Sequence, residues 1–427
     1  MLQTIWDESG ARPGARLLYL GFAFPPGMAA LHPGRNPAGH ALETQMVAEL
    51  RRYFEVRSVG ILPMEPEQTD LADPASGIAH ELLLQERAPE LWHRFVSLAR
   101  LKREYRAWSA SGWEPDAVLV YNLSPVYNQF LRWLQRQPCR PKLVLLLADS
   151  SNLGQPTRRL KAFRRRLKPM FTPDADMITR FDACVGLSRG VQRYFEPRQI
   201  PFLWMPGGCN PSRAVRDHKP NHSEPSQAAR RFGYFGSLGA HSGVRQLLKA
   251  FQACDIPATL EICGYGKMNE ALAKLLQGHS RVIYHGLKTP EQCLHFGRSC
   301  HVLVNPRPAT HGNENNFASK LFDYALCGRA IMTTWMSGVQ EVLGPEAFYL
   351  DAHDLENDLQ RELVRIATLP RVELNRRGEA IQSRVLSGFS WQVQAGQLAG
   401  FLRDTCRLPA LPLESQETGP ASILATS

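Results

Sequence analysis

The chain has 427 residues, which is long for a single core and natural for two domains of roughly 200 residues each. Hydrophobic residues make up 44% and charged residues 21%, the composition of an ordinary globular protein, and apolar runs such as LVLLLA at 143–148 are too short to cross a bilayer. The first residues, MLQTIWDESGARPG, include acidic side chains and no long apolar stretch, which argues against a secretory signal.

The nine cysteines are scattered along the chain, with no Cys-x-x-Cys pair and no Cys/His cluster at metal-ligand spacing. They are expected to be reduced core residues of a cytoplasmic protein. The formal charge of +10 favours anionic partners, namely nucleotides, phospholipid headgroups or nucleic acid.

The first half of the chain alternates apolar strands with helices. A buried strand at RLLYLGFAF precedes a loop from Pro25 to His40, the helix ALETQMVAELRRYF and the strand EVRSVGIL, whereas residues 64–113 look helix-prone and irregular. Further strands are predicted at 116–121, 142–150 and 181–187. Continuous apolar strands separated by helices predict a parallel sheet covered on both faces.

A strongly basic segment, TRRLKAFRRRLKPMF at 157–171, lies between the last two of these strands. Seven cations fall within eleven residues, Arg164, Arg165 and Arg166 among them, around a helical stripe of Leu160, Phe163 and Leu167. Such a helix can lie on an anionic membrane surface, each cation contributing about 1 kcal/mol. It can also pack its stripe on its own domain. Nucleic acid is not expected as a partner.

The second half repeats the strand–helix plan after a polar linker at 212–230. The predicted strands are RFGYFGSL, ATLEICGYG, RVIYHG, CHVLVNP and AIMTTW, and the helices between them include GVRQLLKAFQAC, PEQCLHFGRS and SKLFDYALCG. Two doubly wound α/β units predict two Rossmann-like domains that face a cleft at the carboxyl ends of their strands. Residues after Pro409 lack periodicity and look like a disordered tail.

The motifs of the second half, in this order, resemble glycosyltransferase family 4, which has the GT-B fold. They are FGYFGSLGAHSGVRQLLKAF, TLEICGYG, RVIYHGLKTPEQ, CHVLVNPR and NENNFASKLFDYALCGRAIMTT. FSWQVQAGQLAGFL resembles the helix that returns to the first domain in that family. The resemblance implies an acceptor-binding domain at 1–205, a nucleotide-sugar-binding domain at 206–388, a returning helix at 389–407 and a tail at 408–427.

This resemblance also implies an activity. The expected reaction moves a sugar from a nucleotide-sugar donor to a lipid-linked or saccharide acceptor, in cell-surface polysaccharide or glycolipid synthesis. Retention of configuration is expected, with no metal or other cofactor. The enzyme would work in the cytoplasm, on the inner face of the membrane. A transferase that has lost turnover and only binds membrane or saccharide is the main rival.

The central donor motif has a physical basis of its own. Ser319 is a good helix N-cap, residues 320–326 read as a helix, and Gly328 is a suitable stop. The amide groups at that end suit a diphosphate, and Asp323, one turn inside, can reach a ribose hydroxyl. The predicted donor contacts are Gly236, Ser237, Ser242, Gly264, Lys288, Phe317, Ala318, Ser319 and Asp323.

Several positions depart from the family pattern. The family has Glu-x7-Glu where this chain has Asn315 and Asp323, so the contact expected between Asn315 and the donor sugar loses its charge. The family's phosphate-binding Arg and Lys fall at Ser237 and Ser242. Lys320 either compensates, stabilising the leaving group, or is simply exposed to solvent.

Other catalytic candidates lie in the first half. Asp149 follows the strand KLVLLL, where relatives carry a histidine, and is either a general base for an inverting reaction or a turn cap. Gly39 and His40 are expected on the acceptor side. GLSRG at 186–190 fits a hydrolase nucleophile elbow, but Ser188 is better explained as a helix cap, because no oxyanion loop precedes it. Asp174-Ala-Asp176 mimics a metal-binding motif but lies in a loop-like stretch.

Overall fold

The structure is a computed structural model that describes residues 14–25, 37–63, 78–86, 91–148, 175–214, 229–265 and 279–408. The strands of the first domain are β1 (Arg16–Gly21), β2 (Glu55–Pro63), β3 (Leu82–Glu86), β4 (Ala117–Tyr121), β5 (Lys142–Leu147), β6 (Ala183–Gly186) and β7 (Phe202–Trp204). They form a parallel sheet in the order β3-β2-β1-β4-β5-β6-β7. Every residue of β1, β4 and β6 is buried, because helices cover both faces of the sheet.

The helices of this domain are α1 (Pro37–Leu50), α2 (Leu91–Ala110) and α3 (Pro125–Leu134), with 3-10 helices at Ala175–Arg180, Arg189–Tyr194 and Glu196–Arg198. Helix α3 begins where Ser124 Oγ accepts a hydrogen bond from Tyr127 N at 3.2 Å, with Pro125 in the first turn. The interpretation of residues 64–113 as irregular is wrong in part, because β3 lies there. Leu82 and Leu84 of that strand share a core with Leu101 of α2.

The second domain holds β8 (Arg230–Ser237), β9 (Ala258–Tyr265), β10 (Val282–Tyr284), β11 (Val302–Asn305), β12 (Ala330–Thr334) and β13 (Phe348–Leu350). Its parallel strands follow the order β10-β9-β8-β11-β12-β13. The helices are α4 (Val244–Ala253), α5 (Pro290–Ser299), α6 (His311–Glu314), α7 (Lys320–Leu326), α8 (Val339–Leu343), α9 (Leu355–Thr368) and α10 (Arg371–Gly388).

The last helix, α11 (Trp391–Cys406), packs on the first domain. Leu398 and Leu402 share a hydrophobic cluster with Leu17 of β1 and Met46 of α1. Within the described residues, no helix combines the length and apolar character that a membrane span requires.

Both sheets reverse their strand order beside their first strand. In the first domain β1 lies between β2 and β4, and in the second domain β8 lies between β9 and β11. Such a reversal opens a crevice at the carboxyl ends of the two central strands, where open α/β sheets bind ligands. The predicted class, α/β with two doubly wound parallel sheets, is confirmed.

Candidate active site

Two glycines form the carboxyl edge of the second sheet beside this crevice. Gly236 of β8 and Gly264 of β9 are paired in the ladder, and both have left-handed φ angles, 134° and 144°. A Cβ atom on Gly264 would lie 1.9 Å from Gly236 O. Glycine is therefore required at 264, and the paired strand ends present bare backbone to the crevice.

Lys320 lies across the end of β8. Its Nζ donates a hydrogen bond to Tyr234 Oη at 2.7 Å and lies 4.2 Å from the centre of that ring. The side chain is half-buried, so the alternative of a simply exposed lysine is wrong. Burial, and then the nearby positive charge of Arg307, lowers the pKa of Lys320 to about 7.

Helix α7 spans the predicted residues and ends before Gly328, whose φ is 63°. The prediction that Ser319 caps it is wrong, because Ser319 has helical backbone angles and makes no capping bond. Leu321 N and Phe322 N already donate to the carbonyl groups of Ala318 and Ser319, at 2.9 and 3.1 Å. The positive charge at this end therefore comes chiefly from the Lys320 side chain.

The carboxylate of Asp323 is accessible. Its Oδ1 lies 3.4 Å from Arg213 Nη1, and its side chain is 40% exposed. An oxygen atom that is paired this loosely remains able to accept a hydrogen bond from a ligand hydroxyl. Nearby, Ala318 is buried and the ring of Phe317 lies 5.5 Å from that of Phe322.

Asn315 lies where the two domains meet. It is buried, and its Oδ1 accepts a hydrogen bond from Arg193 Nη2 of the first domain at 3.0 Å. Ser188 Oγ donates to Glu314 O at 3.1 Å beside it. The side chain that was expected to contact the donor sugar is thus bonded through its oxygen atom to the first domain.

The two serines at the family's cationic positions bond to their own loop. Ser237 is exposed, and its Oγ accepts from Gly239 N at 3.4 Å. Ser242 is buried, and its Oγ donates to Gly239 O at 2.6 Å. Neither serine adds charge to the crevice. Lys288, in the loop after β10, is half-buried.

On the first domain, Gly39 and His40 lie in the first turn of α1. His40 Nδ1 accepts from Phe24 N at 3.2 Å, and burial lowers the pKa of His40. Glu43, one turn further on, was not predicted as a site residue. Its buried Oε2 accepts hydrogen bonds from Tyr19 Oη at 2.5 Å and from Phe22 N at 2.8 Å, which fixes the backbone after β1. An acidic residue in the apolar helix pattern directly after the loop that follows β1 was the available signal.

Solved structures share this architecture. Sucrose-phosphate synthase of Thermosynechococcus elongatus superposes with a TM-score of 0.62 at 15% identity, over 91% of this chain and 98% of the other. HepE of Anabaena, in complex with UDP and glucose, superposes with a TM-score of 0.59 at 14% sequence identity, over 91% of this chain and 100% of HepE. The lipopolysaccharide outer core galactosyltransferase WaaB superposes with a TM-score of 0.59 at 13% sequence identity, over 91% of this chain and 99% of WaaB. These likenesses show the GT-B fold.

The sequence supplies a second, independent match. Residues 229–368 match the family model of group 1 glycosyl transferases. The chain therefore combines the GT-B fold with a group 1 glycosyl transferase domain, which supports a transferase enzyme. No curated protein matches its sequence significantly. The matched residues contain the whole glycine, lysine and aspartate arrangement described above.

Ser188 of the transferase is a structural residue. Its Oγ accepts from Gly190 N at 3.1 Å, so the predicted cap is confirmed, on a 3-10 helix. The hydroxyl also donates to Glu314 O, and Ser188 as a residue is 3% exposed. A serine buried and bonded in this way is not available as a nucleophile, and the hydrolase alternative is wrong.

Arg307 was missed at the sequence level. It follows β11 by two residues, is half-buried, and donates to Asn313 Oδ1 at 2.7 Å and Asn316 O at 3.0 Å. Burial lowers its pKa to about 10. Its place directly after a buried parallel strand, in CHVLVNPR, was the signal that could have found it.

Some predicted site residues of the transferase lie outside the described residues. They are Asp149, Arg164, Arg165 and Arg166. Across the described ranges, no three His, Cys, Asp or Glu side chains are grouped as metal ligands.

Proposed function

We propose that the transferase moves a sugar from a nucleotide-sugar donor to a lipid-linked or saccharide acceptor, without a metal ion. The observation that carries the proposal is Lys320, held against Tyr234 at the crevice beside β8 within the group 1 domain. HepE, which shares the fold, is described in complex with UDP and glucose. A cation held at this edge suits the diphosphate of such a donor.

Four of the predicted site residues have roles in this proposal. The bare backbone at Gly236 and Gly264 lets the donor approach the strand ends, and Asp323 accepts a hydrogen bond from a ribose hydroxyl. As the bond between the anomeric carbon and the phosphate oxygen breaks, negative charge develops on the leaving diphosphate. Lys320 Nζ stabilises that charge, and a lysine with a pKa near 7 can also give a proton to it.

We further propose that the acceptor binds over the first domain, near Gly39 and His40, and that transfer retains the anomeric configuration. The resemblance to family 4 supports retention, while Asp149 as a general base would produce inversion. The net charge of +10 and the fold shared with WaaB, an outer core lipopolysaccharide enzyme, support a peripheral enzyme of glycolipid or polysaccharide synthesis on the cytoplasmic face of the membrane.

Thermal-shift measurements with a panel of nucleotides and nucleotide sugars test the proposal, since a ligand that binds only the folded state raises its stability. The nucleotide sugar that stabilises most is then incubated with lipid and saccharide acceptors, and the anomeric configuration of the product is read by NMR. Lys320→Met should abolish transfer. Lys249→Met, which removes an exposed lysine paired with Glu356, should not. Binding without transfer to any acceptor would favour a protein that has lost turnover.

A further inference from the structure

Arg307 is a cation that the proposed function does not yet use. It follows β11, whereas Gly236 and Ser237 end β8, so the arginine and the glycine edge flank the same crevice. The hydrogen-bond acceptors of its guanidinium, Asn313 Oδ1 and Asn316 O, are both neutral. Within the described chain, no Asp or Glu forms an ion pair with Arg307.

The surroundings of Arg307 hold its guanidinium in place. Asn313 is 2% exposed, and its Nδ2 donates to His241 O at 3.0 Å and to Pro308 O at 2.9 Å. The backbone of Gly243 packs closely against the same segment, because a Cβ atom at this position would lie 1.5 Å from Pro306 O. Arg307 is therefore fixed between the loop after β8 and the segment that leads to α7.

A half-buried guanidinium without a carboxylate is costly unless something else supplies negative charge. Two other basic side chains, Lys320 and His241, lie close to it. Arg307 contributes to the lowered pKa of Lys320, and the pKa of His241 is lowered by burial, then by Arg307 and Lys320. Basic groups from three segments thus disfavour one another's charged forms, and an anion with more than one charge would favour the protonated forms again.

We propose that Arg307 binds the diphosphate of the donor together with Lys320, and supplies the charge that Ser237 and Ser242 lack. The inference rests on the proposed function for the identity of the ligand. The planar guanidinium can bind two phosphate oxygens through two parallel hydrogen bonds, a fixed geometry that the ammonium group of a lysine does not provide. Arg307 is then a substrate-binding residue that reaches the crevice from β11, rather than from the loop after β8.

The competing interpretation is that Arg307 only holds the segment at Asn313 and Asn316. The two roles separate when binding of a diphosphate is compared with binding of the matching nucleoside. Wild type, Arg307→Gln, Arg307→Lys and Arg281→Gln are studied by calorimetry with inorganic pyrophosphate, the preferred nucleoside diphosphate and its nucleoside. Arg281, directly before β10, is the matched control. Its guanidinium donates to Ile256 O and Cys254 O and lies over the ring of Phe251, at the other end of the strands.

We expect Arg307→Gln to weaken diphosphate and pyrophosphate binding about tenfold or more and to leave nucleoside binding unchanged. Arg307→Lys should recover part of the loss, and Arg281→Gln should match wild type. Unchanged pyrophosphate and diphosphate affinities in folded Arg307→Gln would overturn the inference. If no nucleotide binds wild type, the proposed function fails. The anion site then stands only if pyrophosphate binds wild type and not Arg307→Gln.

A measurement on wild type covers the case in which Arg307→Gln does not fold. Phenylglyoxal modifies accessible arginines, and mass spectrometry locates each modified residue. Pyrophosphate should protect Arg307 and leave modification of Arg103, an exposed arginine on α2 of the first domain, unchanged. Equal modification of Arg307 with and without pyrophosphate would count against the inference.

Discussion

Arg193 Nη2 donates a hydrogen bond to Asn315 Oδ1 at 3.0 Å, and this contact joins the two domains across the cleft. Ser188 Oγ, bonded to Glu314 O, adds a second link at the same place. An acidic residue at 315, as in the family pattern, would form an ion pair with Arg193. The neutral amide retains the contact without neutralising the arginine.

Arg193→Ala should weaken the contact between the two domains by about 1 kcal/mol, the usual net value of one hydrogen bond. Turnover should fall while nucleotide affinity stays the same, because the donor residues lie in the second domain. Small-angle scattering and steady-state kinetics measure the two effects. Arg198→Ala is the control, since Arg198 bonds to Tyr194 O within its own domain. A loss of nucleotide affinity in Arg193→Ala would place Arg193 at the donor instead.

The lowered pKa of Lys320 predicts a pH dependence of stability. Between about pH 7 and pH 10 the unfolded chain binds a proton at Lys320 that the folded chain does not, so the free energy of unfolding should rise with pH in that window. Lys320→Met should lack this increment, and Lys249→Met should keep it. Urea denaturation at a series of pH values measures it, and identical pH profiles for wild type and Lys320→Met would contradict the assignment.

Ligand binding gives an independent test of the lowered pKa of Lys320. A diphosphate that contacts Lys320 raises its pKa, so binding at pH 8 should take up protons. Calorimetry in two buffers of different ionisation enthalpy should then give different apparent enthalpies for wild type and equal ones for Lys320→Met. Equal apparent enthalpies for wild type in the two buffers would mean that Lys320 does not contact the bound phosphates.

Gly264→Ala should be strongly destabilising, on the order of 3 kcal/mol or more, because its φ of 144° suits only glycine and its Cβ would meet Gly236 O. Gly112→Ala is the control. Its φ is 81° with open space around the Cβ, so only about 1 to 2 kcal/mol of backbone strain is expected. Chemical denaturation compares the two, and similar losses would mean that the close approach of β8 and β9 is not essential.

Asp323→Ala should weaken nucleotide binding by roughly 1–3 kcal/mol, the cost of leaving ribose hydroxyl groups poorly paired. Asp255→Ala, which removes an exposed carboxylate before β9, should bind nucleotide as wild type does. Calorimetry on both folded variants is the measurement. If Asp323→Ala binds nucleotide with wild-type affinity, Asp323 does not contact the donor.

The basic segment predicts binding to anionic membranes. Replacing Arg164, Arg165 and Arg166 by Ser should weaken binding to anionic vesicles by a few kcal/mol at low salt, at about 1 kcal/mol per charge. Salt should weaken wild-type binding, because screening acts over about 10 Å at 0.1 M. A triple change of Arg361, Arg365 and Arg376 to Ser lowers the net charge equally and should have little effect. Equal flotation of all three proteins would contradict membrane binding by the basic segment and would favour an acceptor that is soluble in water.

Local sequence determined much of this protein. Apolar runs such as residues 117–121 and 142–147 predicted buried parallel strands, since a chain enclosed on both faces has few polar positions. The stop of α7 at Gly328 and the cap at Ser188 followed from residue types a few positions apart. The order of the motifs was enough to predict the fold and the class of enzyme.

Tertiary structure decided which side chains meet. Lys320 and Tyr234 are 86 residues apart, and Arg193 and Asn315 are 122 apart. Their contacts depend on the order of strands in a sheet and on the placement of one domain against the other, which no local pattern encodes. Arg307 was inferred as a binding residue only from the tertiary structure, because its role also depends on contacts between distant segments. Its charge matters because the reversal of strand order beside β8 places β11 next to the glycine edge, where Lys320 also lies.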